Sequence, residues 1–275
     1  MYDIEFYADG KSLRMNLESG IIIKTIDGLT GTSALLDTVQ NVNGVGTSVT
    51  GCRIAGKNLT VKGMVLDRNT NAKQALLDFF KPLRQVEMYV ISTRKSSIHE
   101  RYRRAVLTVK TSPVITQTKH SQFSINLYMA IPYFESYKEY EINIPANLTA
   151  VEATIEGDAN PQYELSFIAK ADNLTIGYLW CYTNNYLDGT FLAMDFSQST
   201  AGKLMTNDRV KIWRENGRLR ATINDVDEIA IMYANSKLWY LPLGTWKFML
   251  GLGGAIDSAK IKYRSLHAGV LVDGV

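Results

Sequence analysis

The chain changes character around residues 133–146, and that seam limits its possible folds more than any other feature. Ahead of it, apolar and polar residues alternate in runs that read as strands, interrupted by one helical pattern. The last of these runs is Phe123-Ser124-Ile125-Asn126-Leu127, continuing through Met129 towards Pro132-Tyr133-Phe134. Beyond the seam, short β-type runs are broken by Gly, Asn and Asp, and no second helical pattern of similar strength follows. The expectation is a mainly β chain in two units, residues 1–138 with one α-helix and residues 139–275 as a β-sandwich.

Length and composition permit both units to bury a core, since 275 residues carry 46% hydrophobic and 21% charged side chains. No apolar stretch approaches the length of a membrane span. The opening Met1-Tyr2-Asp3-Ile4-Glu5-Phe6 is acidic and alternating, unlike a basic-flanked export signal, which predicts a chain kept in a reducing cytoplasm. Cys52 and Cys181 fall one in each unit and are read as free thiols. His99, His120 and His267 are far apart and no Cys pair has finger spacing, so no structural zinc is expected. Residues 1–140 hold 18 Lys and Arg against 12 Asp and Glu, whereas the remainder hold 12 against 15. That asymmetry suits contact with something acidic but is too mild for specific nucleic-acid binding.

In the first unit, strands are expected at Tyr2–Tyr7 and Leu13–Leu17 around an Asp9-Gly10 turn, then at Gly20–Thr25 and Asn58–Leu66. Residues 27–51 differ, with Gly28, Gly31, Gly44, Gly46 and Gly51 among Thr, Ser, Asn and Val. They read as a long excursion, a hairpin whose tip is ordered by a partner. The bare amides of Gly44-Val45-Gly46 lack the spacing of a dinucleotide fingerprint or a P-loop. After Asn69-Thr70, the spacing of Ala72, Ala75, Leu76, Phe79 and Phe80 predicts a helix stopped by Pro82. Strands follow at Val86–Thr93, Tyr102–Thr111 and His120–Ile131. Between the first two lies a basic knot of Arg94, Lys95 and Arg101, extended by Arg103 and Arg104, best read as a solvated hairpin tip or subunit contact. The connector is Glu135-Ser136-Tyr137-Lys138-Glu139-Tyr140-Glu141.

In the second unit, strands are expected at 150–155, 163–169, 174–182, 190–195, 203–206, 210–215, 228–233, 240–241, 246–252 and 260–265. Asp188, Asp195, Asp208, Asp225 and Asp227 read as turn-formers in preference to a glycosidase pair. Asn224-Asp225-Val226-Asp227 lacks the glycine and closing glutamate of a calcium loop. No Gly-x-Ser-x-Gly elbow occurs, so no catalytic, cofactor or metal site is expected. Trp180, Trp213 and Trp246 sit in alternating strands and are read as core, leaving Trp239 with Tyr240 as the surface for a sugar or a partner.

The order of these elements resembles the distal tail protein of long-tailed, siphovirus-type bacteriophages. The residues that carry the resemblance begin with Gly51-Cys52-Arg53-Ile54, Leu59-Thr60-Val61-Lys62-Gly63 and the helix closed by Lys81-Pro82-Leu83. They continue with Ala130-Ile131-Pro132-Tyr133-Phe134, Gly157-Asp158-Ala159-Asn160-Pro161 and Leu241-Pro242-Leu243-Gly244-Thr245-Trp246. The resemblance implies a ring-forming first domain and a galectin-like sandwich as the second. It also implies a structural virion protein without enzymatic activity, at the distal end of the tail. A hexameric ring would connect the tail tube protein to the hub protein and support receptor-binding or side-fibre proteins. On that reading Gly44, Gly46, Arg53, Arg94, Lys95, Arg101 and Arg103 are candidate ring or tube contacts. The alternative reading is a lectin-like module for a bacterial wall glycan near Trp239. A tail-tube subunit is a further alternative, one expected to polymerise into open stacks.

Overall fold

The computed structural model describes residues 3–29, 33–40, 47–66, 70–91, 102–116, 121–136, 138–145, 148–185, 189–215, 218–238, 240–251 and 256–268. Two compact units divide the chain, one of Met1–Tyr137 with His267–Val275 and one of Lys138–Leu266. The second unit therefore interrupts the first, with the chain leaving after Tyr137 and returning at His267, a return that a single boundary at 138/139 does not contain.

The first unit opens with β1 (Asp3–Ala8), β2 (Lys11–Met15) and β3 (Ile21–Asp27), followed by β4 (Ala34–Gln40), β5 (Thr47–Ile54) and β6 (Lys57–Val65). Helix α1 (Thr70–Phe79) precedes β7 (Gln85–Ile91), β8 (Tyr102–Val109), β9 (Val114–Thr116), β10 (Ser121–Met129) and β11 (Phe134–Ser136). The main sheet runs β2-β1-β7-β8-β10-β6-β3, with β9 beside β10 and β11 beside β8. Its pairings are antiparallel, so side chains at every second residue fall on one face. That face buries Ile4 and Phe6, Val86 and Met88, Leu107 and Val109, Ile125 and Leu127. Helix α1 closes the same core with Ala72, Leu76 and Phe79, the stripe that the sequence spacing predicts. The adjoining Phe80 meets Phe6 edge-on at 5.0 Å.

Two positions in this unit require a particular residue, one for its backbone and one for its space. Asp9 and Gly10 both have positive φ (50° and 74°), as the tight β1–β2 hairpin requires. Gly63, at the centre of β6, pairs with Phe123 of β10 and Ile23 of β3. A Cβ there would stand 2.6 Å from Phe123 Cζ and closer still to the Ile22 carbonyl, so only glycine fits.

The excursion contains a separate two-stranded ribbon, β4–β5, in register from Ala34↔Ile54 to Gln40↔Thr47 with an irregularity between Asp37 and Thr38. The connector is more regular than its composition suggests. Glu135 in β11 pairs with Arg104, and Glu141 lies in the next strand, so among the described residues the stretch without strand is confined to 138 and 139.

The second unit comprises β12 (Tyr140–Pro145), β13 (Val151–Ile155), β14 (Tyr163–Ala169), β15 (Ile176–Tyr182), β16 (Thr190–Asp195) and β17 (Arg209–Glu215). It continues with β18 (Arg218–Ile223), β19 (Val226–Asp227), β20 (Gly244–Gly251) and β21 (Ile256–Tyr263), and β22 (Leu266–His267) spans the return to the first unit. One sheet runs β12-β21-β14-β17-β18-β19 and the other β13-β20-β15-β16. Ile144, Leu165, Ile212 and Ile261 of the first sheet share one buried cluster with Leu179, Leu192, Phe248 and Leu250 of the second. This is a β-sandwich.

Several expected strands are not strands. Residues 228–233 form a single 3-10 turn, Ile229–Ile231, because Glu228 is drawn inward and its carboxylate accepts the Thr200 amide at 3.1 Å. Leu204 makes only an isolated bridge to Leu174, and Tyr240 lies outside any strand. Asn224 and Asp225, both at positive φ (51° and 66°), turn β18 into β19. Trp180 and Trp213 are not core residues. They alternate with Leu179, Cys181 and Ile212, which face the shared interior, and are themselves half-buried on outer faces. Trp246 packs at the core margin and donates to the Leu243 carbonyl at 2.8 Å.

Candidate assembly interface

The outer face of the first unit's sheet is built by the residues that alternate with its core. Arg14 clamps Asp3 with two bonds, Nε to Oδ1 at 2.9 Å and Nη2 to Oδ2 at 2.5 Å, tying β2 to β1. This pairing raises the Arg14 pKa further, so the fork is permanently charged. Farther in, Arg104 of β8 pairs with Glu87 of β7 and lies 3.7 Å from Glu135 of β11. The Tyr89 hydroxyl donates to the other Glu87 oxygen at 2.8 Å. On β6 and β10, Lys62 pairs with Asp27 at 2.9 Å and Thr60 donates to Asn126 at 3.2 Å. Such exposed pairs add little stability, but they fix a polar face with defined lateral order.

Among these groups, Tyr7 and Val106 remain 40% and 48% exposed. Register carries Tyr7 to Glu87 and Glu87 to Val106, so three residues from distant parts of the chain adjoin. With Asp9, Gly10 and Gln85 they line an open cleft of about 330 Å³. Its lining includes two carboxylates, Asp9 and Glu87, and no Lys or Arg.

The sheet ends among the described residues on β2 and β3, each paired along one side only. The ribbon β4–β5 pairs with nothing else among the described residues, and Leu35 and Ile54 on it are exposed. A lone two-stranded ribbon is marginal in water, so a partner surface is its natural support. At the chain's return, Lys57 donates to the Ala268 carbonyl at 3.0 Å and lies 4.9 Å from the Phe134 ring centre, and burial lowers its pKa.

The sequence-predicted contact residues distribute as follows. Gly44, Gly46, Arg94, Lys95, Arg101 and Trp239 lie outside the described residues. Arg53 is on β5, opposite Leu35, and Arg103 is on β8, opposite Val90; only their backbone courses are described. Tyr240 is exposed, with its hydroxyl accepting from Arg214 at 3.2 Å and the guanidinium 4.7 Å from its ring centre. Sequence reasoning missed the cleft, since only strand register brings its residues together.

Across the second unit's larger sheet, Lys260 meets Glu141 at 3.0 Å and Lys211 meets Glu164 at 3.0 Å. The Lys260 hydrogen bond holds the Glu141 carboxyl below its ordinary pKa. Trp213 lies on this outer face with Lys211 5.1 Å from its ring centre. Of the aspartates read as turn-formers, Asp195 accepts the Ser197 amide and Asp208 accepts the Met205 amide. Asp225 turns β18 into β19 and Asp227 lies 3.4 Å from Arg220, while Asp188 lies outside the described residues.

This architecture matches solved structures. The SPP1 Dit protein (gp 19.1), described as a paradigm of hub adsorption apparatus in phages infecting Gram-positive bacteria, aligns over 96% of this chain and 98% of its own at TM-score 0.71, with 12% identity. The fold is that of a phage Dit protein. Chains of the phage P2 baseplate in its activated conformation, with calcium and with strontium, align over 98% of this chain and all of their own. Their TM-scores are 0.51 and 0.50 at 10% identity. No family model matches the sequence, and no curated protein matches it. The Dit-like fold extends across both units, with the ribbon, hairpin and open edges all in the first.

Proposed function

We propose that this chain is the distal tail protein of a long-tailed phage or prophage, a structural component that works by geometry without chemical turnover. The observation that carries the reading is the fold likeness to SPP1 Dit across nearly the whole of both chains. The first unit closes with copies of itself into a hexameric ring, which connects the tail tube protein to the hub protein. Its one-sided edges β2 and β3 and the ribbon β4–β5 supply surfaces that need partners. Gly44, Gly46, Arg53, Arg94, Lys95, Arg101 and Arg103 belong to the ring and tube contacts. The galectin-like second unit anchors peripheral baseplate proteins, with Trp239 and Tyr240 on its contact surface. Assembly takes place in the host cytoplasm, and the finished protein resides at the distal end of the virion tail.

Light scattering with negative-stain imaging tests this directly. The expected result is one closed particle of fixed size with a central opening and peripheral lobes. A strict monomer at high micromolar concentration overturns the ring. A lectin-like module is the second reading, favoured by the exposed Tyr240 with the Arg214 guanidinium 4.7 Å from its ring centre. It requires saturable binding of wall polysaccharide that is lost in a folded Trp239→Ala variant.

A further inference from the structure

We infer that the outer face of the second unit's smaller sheet is a binding site for a neutral pyranose glycan. Tyr178, Trp180 and Phe191 form its stacking shelf, and Tyr182, Lys247 and Glu152 its hydroxyl-reading edge. The site goes beyond the assembly role proposed above and does not depend on it.

Strand alternation builds the shelf. Leu179 and Cys181 of β15 face the core, so Tyr178, Trp180 and Tyr182 project outward, as does Phe191 of β16 opposite Trp180. The Tyr178 ring stacks on Trp180 at 5.2 Å and meets Phe191 edge-on at 6.3 Å. Its two cross-strand partners are small, Ala193 on β16 and Gly251 on β20. The benzo edge of Trp180 fills the space above Gly251, where a Cβ would stand 2.7 Å from Cη2 and closer still to Cζ3. Glycine thus lets the indole settle onto the sheet, and a larger residue would displace it.

A polar strip adjoins the rings. Tyr182 stands opposite Lys247, and Lys247 opposite Glu152 of β13, so all three share the outer face. Farther along it, the Thr154 and Thr245 hydroxyls lie 2.9 Å apart.

Three properties select a sugar. A pyranose has a face of C–H groups and a rim of hydroxyls, and here aromatic rings lie beside donors and acceptors. The strip's acid and base, Glu152 and Lys247, balance, which suits a neutral ligand over an acidic polymer. Size decides against a protein, which needs about 800 Å² from each partner. The three rings are half-buried, and the large exposed apolar residues described beside them are Ile176 and Leu148, each 53% exposed. That area suits one or two sugar rings. The surface is distinct from that of Tyr240, whose ring lies against Arg214 of the larger sheet.

Saturation-transfer NMR on the full-length protein tests the site with three neutral probes, maltohexaose, cellohexaose and chitohexaose. At least one should bind saturably, with transfer strongest at its ring C–H protons. Trp180→Ala and Lys247→Ala should each weaken that binding at least fivefold. Gly251→Ala should do the same without removing any group from the shelf or the strip, because it moves the indole. Trp213→Ala, on the outer face of the other sheet, should bind like the wild type. Thermal unfolding checks each fold, and if Trp180→Ala does not fold, the Lys247 and Gly251 variants decide. Failure of all three probes to bind overturns the inference and leaves the ring reading standing. Binding that survives these variants, or that is lost only in Trp239→Ala, belongs to another surface and also overturns it. If folded Trp180→Ala loses assembly in light scattering while no probe binds the wild type, the shelf is a protein contact and the inference falls. A wild type that binds a probe but stays monomeric overturns the ring and not this site.

Discussion

Arg84 Nη2 lies 2.7 Å from Asp9 Oδ2, joining the turn after helix α1 to the β1–β2 hairpin. The same guanidinium donates through Nη1 to the Phe79 carbonyl at 2.8 Å and the Asp78 carbonyl at 3.2 Å, and lies 5.9 Å from the Phe79 ring centre. One side chain thus satisfies the free carbonyls at the helix C-terminus and links the helix to the sheet.

The two halves of that interaction differ in value. An exposed ion pair contributes at most about 1 kcal/mol, whereas loss of the helix-end bonds and the favourable charge there costs about 1–2 kcal/mol. Arg84→Ala should therefore destabilise the first unit by about 1–2 kcal/mol in urea unfolding. Asp9→Asn should cost under about 0.5 kcal/mol. Equal losses in the two variants would show that the ion pair, and not the helix cap, is the important half.

Gly63 makes a sharper prediction. Its backbone φ is ordinary, so the demand for glycine comes from space alone: the Phe123 ring and the Ile22 carbonyl occupy the position of a Cβ. Gly63→Ala should cost about 1–3 kcal/mol through overpacking, read as a lower urea midpoint with unchanged slope. Shortening the ring with Phe123→Leu should not restore it, since the carbonyl clash remains. A neutral Gly63→Ala would mean that β3 can move aside at no cost.

Much of the fold was legible where period and burial agree. β1, β6 and β10 alternate cleanly, and α1 follows its apolar stripe because Leu76 and Phe80 have a sheet to cover. Legibility failed where a single inward residue governs, as at Glu228, whose carboxylate caps Thr200 and forces a turn in a run that otherwise looks like a strand. It failed again for Trp180 and Trp213, because alternation shows that two faces exist but not which one a large indole takes. The cleft was invisible for a different reason. Tyr7, Glu87 and Val106 adjoin only through the pairing of β1, β7 and β8, and register between distant strands leaves no local signal.

The second unit is held in part by a buried hydroxyl. Tyr163 donates to the Leu238 carbonyl at 2.7 Å, and burial raises its pKa, so the ring stays neutral and keeps its proton. Tyr163→Phe removes the donor and leaves a buried carbonyl unpaired, which should cost about 1–3 kcal/mol. The same change at the exposed Tyr233 should have no measurable effect. Calorimetry of the two variants compares them directly.

Alkaline pH should weaken the second unit through Cys181. Burial pushes this thiol up to about 12, whereas an unfolded chain ionises it near 8.5. A folded pKa above the unfolded one means that the contribution is complete below pH 8.5 and is lost as pH rises towards 12. The decline should approach about 1.4 kcal/mol per pH unit for this single group. Cys181→Ala opens a small cavity, so its stability is lower throughout, but its curve should be flatter between pH 9 and 10. Thiol labelling of the native protein, mapped by peptide mass, should leave Cys181 unmodified until denaturant is added. Rapid native labelling at Cys181, or an alkaline slope identical in the two proteins, would show that the sandwich opens there far more readily than its packing implies.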